Sequence, residues 1–284
     1  MVKSLEPSKA GPAIRQRMPK PYSPELDAFA LWDEIVHQFS KGQLTFPEDK
    51  LVAVSGLASR MHKHTRSDYL AGLWRKHLPH QLLWEVDDGE RHAVYTAPSW
   101  SWASMSGRIR SDGYSDDDKT VLEIQEAKIQ LVNEASPFGK AKSGHIRAKG
   151  YLASAGFHFG RWDSSLSAFI LHINDDIIGD AVFDEDHMNK EITHRALHYL
   201  PIRYNPTPEV EGIDRGIEGL ICEAASPDPA TEFKRIGMFY TYAGTSNYEL
   251  FQAACRQHST GSQEYVTAEG CSREWGPQLE FTLV

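Results

Sequence analysis

APSWSWASMSG, residues 97–107, places two tryptophans two positions apart among small side chains. In a β-strand every second side chain points to the same side, so Trp100 and Trp102 would share one face of a sheet. The small residues on the opposite face would let another layer approach closely. Because an indole buries a large apolar area, we expect this pair to fill the joint between two layers of the protein.

The residues before this stretch predict helices. In DAFALWDEIVHQFS, residues 27–40, apolar side chains recur every three or four positions, and Gly42 ends the pattern. TFPEDKLVAVSGLASRM, residues 45–61, begins with a proline and two acids and continues as a second amphipathic stripe. The residues assigned to the two buried faces are Phe29, Leu31, Trp32, Ile35, Val36 and Phe39, followed by Leu51, Val54, Leu57, Ala58 and Met61.

A change from helix to strand is expected next. RSDYLAGLW, residues 66–74, predicts a third short helix that must end before Pro79. The runs QLLWEV (81–86) and HAVYTA (92–97) are rich in β-forming residues and are separated by the turn-prone DDGE.

Short, partly alternating runs continue from about residue 120 to the end of the sequence, with Gly, Pro, Asn and Asp between them. This pattern is typical of antiparallel barrels and sandwiches. Two further helices are expected among these strands, at NKEITHRAL (189–197) and SNYELFQAACRQ (246–257).

These elements predict an α+β fold with a short N-terminal helical lobe, residues 25–80, packed on an antiparallel β-barrel or sandwich, residues 81–284. We expect the two parts to form one globular unit. Residues 1–24 contain five prolines and no apolar stretch of the secretory type, which favours a flexible leader.

Composition excludes several classes of function. The 284 residues carry 30 Lys and Arg against 39 Asp and Glu, a formal charge of −9, so a nucleic-acid partner is not expected. The three cysteines are widely separated, which favours a reducing, cytoplasmic location. The apolar run AFILHI (168–173) is too short to span a membrane, and we expect no membrane association.

The local motifs give no decisive active site. His194 and His198 are spaced to share a helical face near DEDH (184–187), but the HExxH glutamate is absent, so we expect a solvated helix end and no metal. Ser104 lacks the GxSxG frame of a nucleophilic serine. Glycine-rich phosphate loops are absent as well, and we expect no cofactor.

Several segments resemble fungal heterokaryon-incompatibility proteins, in the region that follows their signature domain. The first three are LWDEIVHQFSKGQLTFPEDKLVAVSGLASRM (31–61), YLAGLWRKHLPHQLLWEV (69–86) and YTAPSWSWASMSGRI (95–109). PFGKAKSGHIRAKGYL (137–152) and IEGLICEAASPDPATEFKRIGMFY (217–240) resemble the β-rich tail of the same proteins. The resemblance covers about residues 29–284.

In those proteins an effector domain with a SYxWG-like motif precedes this region, and a nucleotide-hydrolysing, cell-death function is linked to that domain. This sequence has no such motif, so the resemblance implies nothing about that chemistry here. It implies a recognition or regulatory module that binds a protein partner or an apolar small molecule.

A pocket between lobe and sheet is the site hypothesis. Its apolar wall would be formed by tryptophans, and a few polar side chains would orient a ligand or move a proton. The ligand-binding candidates are Trp74, Trp84, Trp100, Trp102 and Trp162, and the catalytic candidates are His92, Tyr95 and Asp163. Alternatively, the indoles form only the core.

Two function classes therefore stay open. One is the recognition or regulatory module. The other is a stand-alone, cofactor-free enzyme of fungal secondary metabolism, of cyclase or isomerase type, that acts by enclosing a reactive small molecule and moving protons.

Overall fold

A computed structural model describes residues 24–111, 118–161, 167–173, 176–185, 197–205, 215–226, 231–261 and 275–284. Within these ranges the fold is mixed α+β, with three α-helices and mostly antiparallel strands. The predicted leader, apart from Pro24, lies outside the described residues. So does the helix predicted over 189–197, apart from its last residue, Leu197, which begins a strand.

Two amphipathic helices begin the described chain, as predicted. Helix α1 is Pro24–Ser40, and α2 is Lys50–Thr65, which follows a 3-10 turn at Pro47–Asp49. Most of the predicted stripe residues are buried or partly buried, but Leu31 and Leu57 are about half exposed. Helix α2 ends at Thr65, because the next residue, Arg66, has a left-handed backbone (φ 51°) that cannot continue the helix.

The predicted third helix is wrong. Residues 66–74 instead contain a hairpin of two short strands, β1 (Tyr69–Leu70) and β2 (Leu73–Trp74). Gly72, at its turn (φ 103°), accepts hydrogen bonds on its carbonyl oxygen from two indoles, at 2.8 Å from Trp32 Nε1 and 3.0 Å from Trp102 Nε1. These long-range bonds, together with the positive φ, override the local helical pattern.

The DDGE segment does not form a hairpin turn as predicted. It lies inside β3 (Trp84–Arg91), which pairs with β4 (Met105–Ser111) through a bulge, and residues 92–97 are not a strand. A side chain at Gly89 would collide with the Asp184 carbonyl oxygen, so only glycine at this position allows the two backbones to lie this close together.

The strand predicted for Trp100 and Trp102 is also wrong. Residues 102–104 form one turn of 3-10 helix, and Ser101 Oγ caps it by accepting a hydrogen bond from the amide of Ala103. Both indoles are nevertheless buried in the core cluster that joins the helices to the sheet.

The remaining strands form one large sheet. The strands are β5 Lys119–Thr120, β6 Glu123–Leu131, β7 Ala141–Gly150, β8 Gly156–Arg161, β9 Ser167–Ile173, β10 Asp176–Phe183, β11 Leu197–Tyr204, β12 Arg215–Ala224, β13 Glu232–Tyr242 and β14 Leu279–Leu283. The order in the sheet is β5-β11-β12-β13-β10-β9-β8, and β14 pairs in parallel with the start of β13 and continues the sheet to β7 and β6. The described strands do not close into a barrel.

Both faces of the central strands are buried. Helix α3, Thr245–Thr260, which the sequence predicted, packs on one face, where Phe251 stacks on Phe239 at 5.1 Å between ring centroids. The neighbouring residue of β13, Met238, belongs to the other core cluster, which contains the helical lobe and the β3–β4 hairpin. Successive side chains of β13 point to opposite faces of the sheet, so this strand contributes to both apolar layers.

A buried arginine joins these layers. Arg235 on β13 is 0 % exposed, and its guanidinium bonds both carboxylate oxygens of Asp184, from Nε at 3.1 Å and from Nη2 at 2.9 Å. It also donates to the carbonyl oxygens of Leu82 and Trp84 and lies 3.3 Å from the centroid of the Trp84 ring. The arginine thus fixes the position of β3 on the sheet.

We expect Asp184→Asn to lower the free energy of unfolding by about 3–5 kcal/mol, because it leaves a buried guanidinium without its counter-charge. Urea unfolding followed by circular dichroism measures the change. Arg110→Ala is the matched control, since it breaks the half-exposed Arg110–Asp87 pair (2.7 Å) and should cost less than about 1 kcal/mol. An equal, small loss in both variants would contradict the structural role of Arg235.

Candidate functional site

The tryptophans predicted to bind a ligand lie in the core. Trp74, Trp84, Trp100 and Trp102 are each at most 2 % exposed. The indole of Trp84 donates to the carbonyl oxygen of Trp100 at 3.0 Å. Their ligand-binding role stays a prediction, and Trp162 and Asp163 lie outside the described residues.

Two of the predicted catalytic candidates lie on the segment that follows β3. His92 Nε2 is 3.2 Å from Ser106 Oγ, and Tyr95 is half exposed. Partial burial and the nearby Lys50 ammonium lower the pKa of His92, while burial raises the pKa of Tyr95 to about 12. At neutral pH the imidazole is therefore mostly neutral, and the phenol keeps its proton.

Sequence reasoning missed Lys50 as part of this site. Its ammonium donates to the carbonyl oxygen of Met105 and lies 6.0 Å from the centroid of the Trp102 ring. Burial lowers the pKa of Lys50 to about 8. One signal was available in the sequence, because Lys50 stands four residues before Val54 and therefore continues the buried stripe of α2.

A cavity lies elsewhere, between the β1–β2 hairpin and β6. It has a volume of about 220 Å³. One wall presents three alternate residues of β6, and the other is formed by the hairpin and the loop before β7. The lining residues are Asp68, Tyr69, Leu70, Ala71, Arg75, Ala127, Ile129, Leu131, Pro137 and Gly139. We call this cavity the hairpin cleft.

An ion pair forms the polar part of the hairpin cleft. Arg75 Nε is 3.1 Å from Asp68 Oδ2, and Arg75 Nη2 donates to the carbonyl oxygen of Ala127. The side chains of Arg75 and Asp68 are 39 % and 71 % exposed, so both retain groups that face solvent. The exposed lining of the cleft is therefore about as polar as it is apolar, with Arg75 and Asp68 at its rim.

The tyrosine in this wall carries an unsatisfied hydroxyl. Tyr69 packs against Trp32, Trp74 and Phe138 with ring centroids 6.0, 5.1 and 5.5 Å apart. Burial raises the pKa of Tyr69, and its hydroxyl has no hydrogen-bond partner among the described residues. An unpaired buried hydroxyl costs about 1–3 kcal/mol, and a native protein that keeps one requires an explanation.

A second group of titratable side chains lies where the lobe meets β11. Gln81 Nε2 is 3.3 Å from Asp33 Oδ1, and burial raises the pKa of Asp33 to about 7 despite that contact. Burial, with the charge of Arg203, lowers the pKa of His77 to about 4. Burial, His77 and Arg203 lower that of His80 to about 3. Both imidazoles are therefore neutral at pH 7, whereas Asp33 is close to half protonated.

Metal binding finds no support among the described residues, where no three His, Cys, Asp or Glu side chains are grouped to hold an ion. Of the acidic and histidine residues considered as metal ligands, Asp184 is bound by Arg235, whereas His194 and His187 lie outside the described ranges.

Cys222 and Cys255 are buried thiols with raised pKa values, and Cys271 lies outside the described residues.

In the part of the chain that the structure describes, no helix has both the length and the apolar character needed to span a membrane.

Comparisons with models of protein families, with curated proteins and with solved structures find no match to this chain. The resemblance to heterokaryon-incompatibility proteins stays a prediction from sequence.

We expect Asp33→Asn to stabilise the protein at pH 8 by about 1–3 kcal/mol and to have little effect at pH 4. The folded state holds a proton on Asp33 that the unfolded chain releases, so the wild-type protein loses stability as pH rises from about 4 to 7. Asparagine does not titrate, and the difference between the two proteins should grow across that window.

Urea midpoints measured at several pH values give this difference. Glu34→Gln is the control, because Glu34 is the exposed neighbour on α1. A difference for Asp33→Asn that is constant with pH would contradict a raised pKa at Asp33.

Proposed function

We propose that this protein is a non-catalytic, cytoplasmic recognition or regulatory module of the heterokaryon-incompatibility type, and that it binds a protein partner in the hairpin cleft. The observation that carries the proposal is the cleft itself. It combines apolar side chains of β6 and of the hairpin with an exposed Arg75–Asp68 pair, next to a core that is filled with indoles.

The size of the cleft favours a polypeptide over a free small molecule. Small-molecule pockets usually have volumes of about 300–1,000 Å³ and bury most of the ligand. A cavity of about 220 Å³ suits one large apolar side chain projecting from a partner chain. Anchors of this kind, inserted into a pocket, commonly dominate the binding energy of protein interfaces.

The rim supplies the polar contacts that such a partner needs. The exposed part of the Arg75 guanidinium can donate to a carbonyl oxygen of the partner's backbone, and Asp68 can accept from an amide. Arginine is also enriched among interface residues with large energetic effects. An apolar small molecule stays the alternative ligand of this module.

One observation favours the enzyme alternative, a stand-alone, cofactor-free cyclase or isomerase of fungal secondary metabolism. Lys50 has a pKa lowered to about 8 and donates to the carbonyl oxygen of Met105, while the His92 imidazole lies 3.2 Å from Oγ of the next residue, Ser106. Such a pair can move protons near neutral pH. If the protein converts a small molecule, loss of that conversion in the Lys50→Met variant, with peptide binding unchanged, would favour this alternative.

The architecture that goes with the proposal is a sandwich. The β3–β4 hairpin is a separate two-stranded sheet, and the carbonyl oxygen of Trp84 in β3 accepts a hydrogen bond from Arg235 of the large sheet. Two sheets in contact through inward side chains favour a sandwich over a closed barrel.

We expect peptides selected from a random display library on the immobilised protein to share one large apolar residue. Ile129→Arg places a charge in the cleft and should weaken their binding at least about thirtyfold, and Arg75→Ala should weaken it about tenfold. Fluorescence polarisation with the selected peptides measures both changes, after circular dichroism has verified folding.

Lys128→Ala is the matched control, because Lys128 lies next to Ile129 on β6 but is exposed and does not line the cleft. Selected peptides that bind Ile129→Arg as well as they bind the wild-type protein would refute the cleft as the binding site.

A further inference from the structure

Strand β6 has one paired side and one unpaired side. It pairs with β7 and with no other strand in the part of the chain that the structure describes. A strand with a single neighbour presents backbone N–H and C=O groups that its ladder does not use, and such an edge can accept a further extended chain. We call the side of β6 that points away from β7 the β6 edge.

One hydrogen bond shows which residues of β6 turn their backbone groups toward this edge. In an antiparallel pair, consecutive residues alternate between bonding the neighbouring strand and pointing away from it. The amide of Val132, just after β6, donates to the carbonyl oxygen of Lys140, just before β7, at 2.9 Å. Val132 therefore points toward β7. By alternation Leu131, Ile129 and Ala127 point away from it.

A second hydrogen bond supports the same assignment from the other end of the cleft. The carbonyl oxygen of Ala127 accepts a hydrogen bond from the guanidinium of Arg75, the residue that follows β2. The bulge in this ladder does not change the alternation along β6, because its extra residue, Lys142, belongs to β7. Since Arg75 also lines the hairpin cleft, the β6 edge faces the cleft.

The backbone groups of Ile129 and Leu131 stay available on the β6 edge. Among the described residues, no hydrogen bond reaches their amides or carbonyl oxygens from outside the β6–β7 ladder. The side chains of the same two residues line the hairpin cleft. A ligand in the cleft therefore meets backbone donors and acceptors that recur every second residue, beside apolar side chains.

This pattern selects the form of the ligand. An extended polypeptide carries N–H and C=O groups at the same spacing and can bond all of them. A helix uses its backbone groups in its own hydrogen bonds, and an apolar small molecule has no such series of donors and acceptors.

From these observations we propose that the partner binds as an extended segment that adds a strand to the β6 edge. It bonds the backbone of Ile129 and Leu131 while one of its apolar side chains enters the hairpin cleft. This inference rests on the proposed function, because it specifies how a partner occupies the same cleft. In this mode of recognition the backbone bonds supply affinity, and alternate side chains supply specificity.

Amide hydrogen exchange of the full chain, followed by NMR, tests the arrangement with the tightest-binding peptide from the display library as the probe. In the free protein, the amides of Lys128 and Gln130 should exchange slowly because they bond β7, and those of Ile129 and Leu131 should exchange faster. Saturating peptide should slow exchange at Ile129 and Leu131 by at least about tenfold and leave Lys128 and Gln130 unchanged.

A proline variant tests the same contact from the protein side. Leu131→Pro removes an amide on the β6 edge without removing a bond to β7, and Leu131→Ala is the matched control that shortens the side chain but keeps the amide. After circular dichroism has verified folding, Leu131→Pro should bind the peptide at least about fivefold more weakly than Leu131→Ala in fluorescence polarisation.

Methylation of the peptide amides, one at a time, gives a third measurement that needs no protein variant. Methyl groups on every second amide of the bound stretch should weaken binding by about tenfold, because those amides face β6. Methyl groups on the intervening amides should have much smaller effects.

The outcomes separate this inference from the function on which it rests. Peptides that lose affinity for Ile129→Arg, yet leave exchange at Ile129 and Leu131 unchanged, would overturn strand addition and leave the cleft as the binding site. Peptides that bind Ile129→Arg as tightly as the wild-type protein would refute both. Protection of the two amides that grows with the concentration of free protein would assign the β6 edge to a second copy of this chain, and would also overturn the proposal.

Discussion

The Arg235–Asp184 pair is the interaction on which the arrangement of layers depends. A guanidinium that is completely removed from water needs a counter-charge and hydrogen-bond acceptors, and here a bidentate carboxylate, two backbone carbonyl oxygens and the Trp84 ring supply them. These partners come from β3, from the residues before it and from the end of β10. Their positions are therefore fixed relative to β13 by electrostatics as well as by apolar contact.

A series of indole hydrogen bonds extends this constraint to the candidate site. Trp84 bonds the carbonyl oxygen of Trp100, and two residues later Trp102 bonds that of Gly72, which also accepts from Trp32 on α1. The β1–β2 hairpin is thereby held between α1 and the 3-10 turn at Trp102–Ser104. Because this hairpin forms one wall of the hairpin cleft, the same hydrogen bonds fix the position of that wall.

Elements that depend on contacts between residues close in sequence could be predicted, and those that depend on residues far apart in sequence could not. The three helices were predictable because their apolar stripes repeat within a few residues. The hairpin at Gly72 was not, since the bonds that determine it come from residues 30 and 40 positions away. Lys50 and Arg235 were missed for the same reason, because their partners are 55 and 51 residues distant and a lone basic residue normally indicates solvent.

Leu57 shows how far a periodic pattern can be trusted. The stripe of α2 included it with Leu51, Val54, Ala58 and Met61, but the helix turns Leu57 away from the core and toward Gly56 and Val52. Periodicity identifies apolar positions, and it does not state how many faces they occupy. The core covers one face of α2, whereas Val52 and Leu57 leave a second group of apolar side chains exposed to solvent.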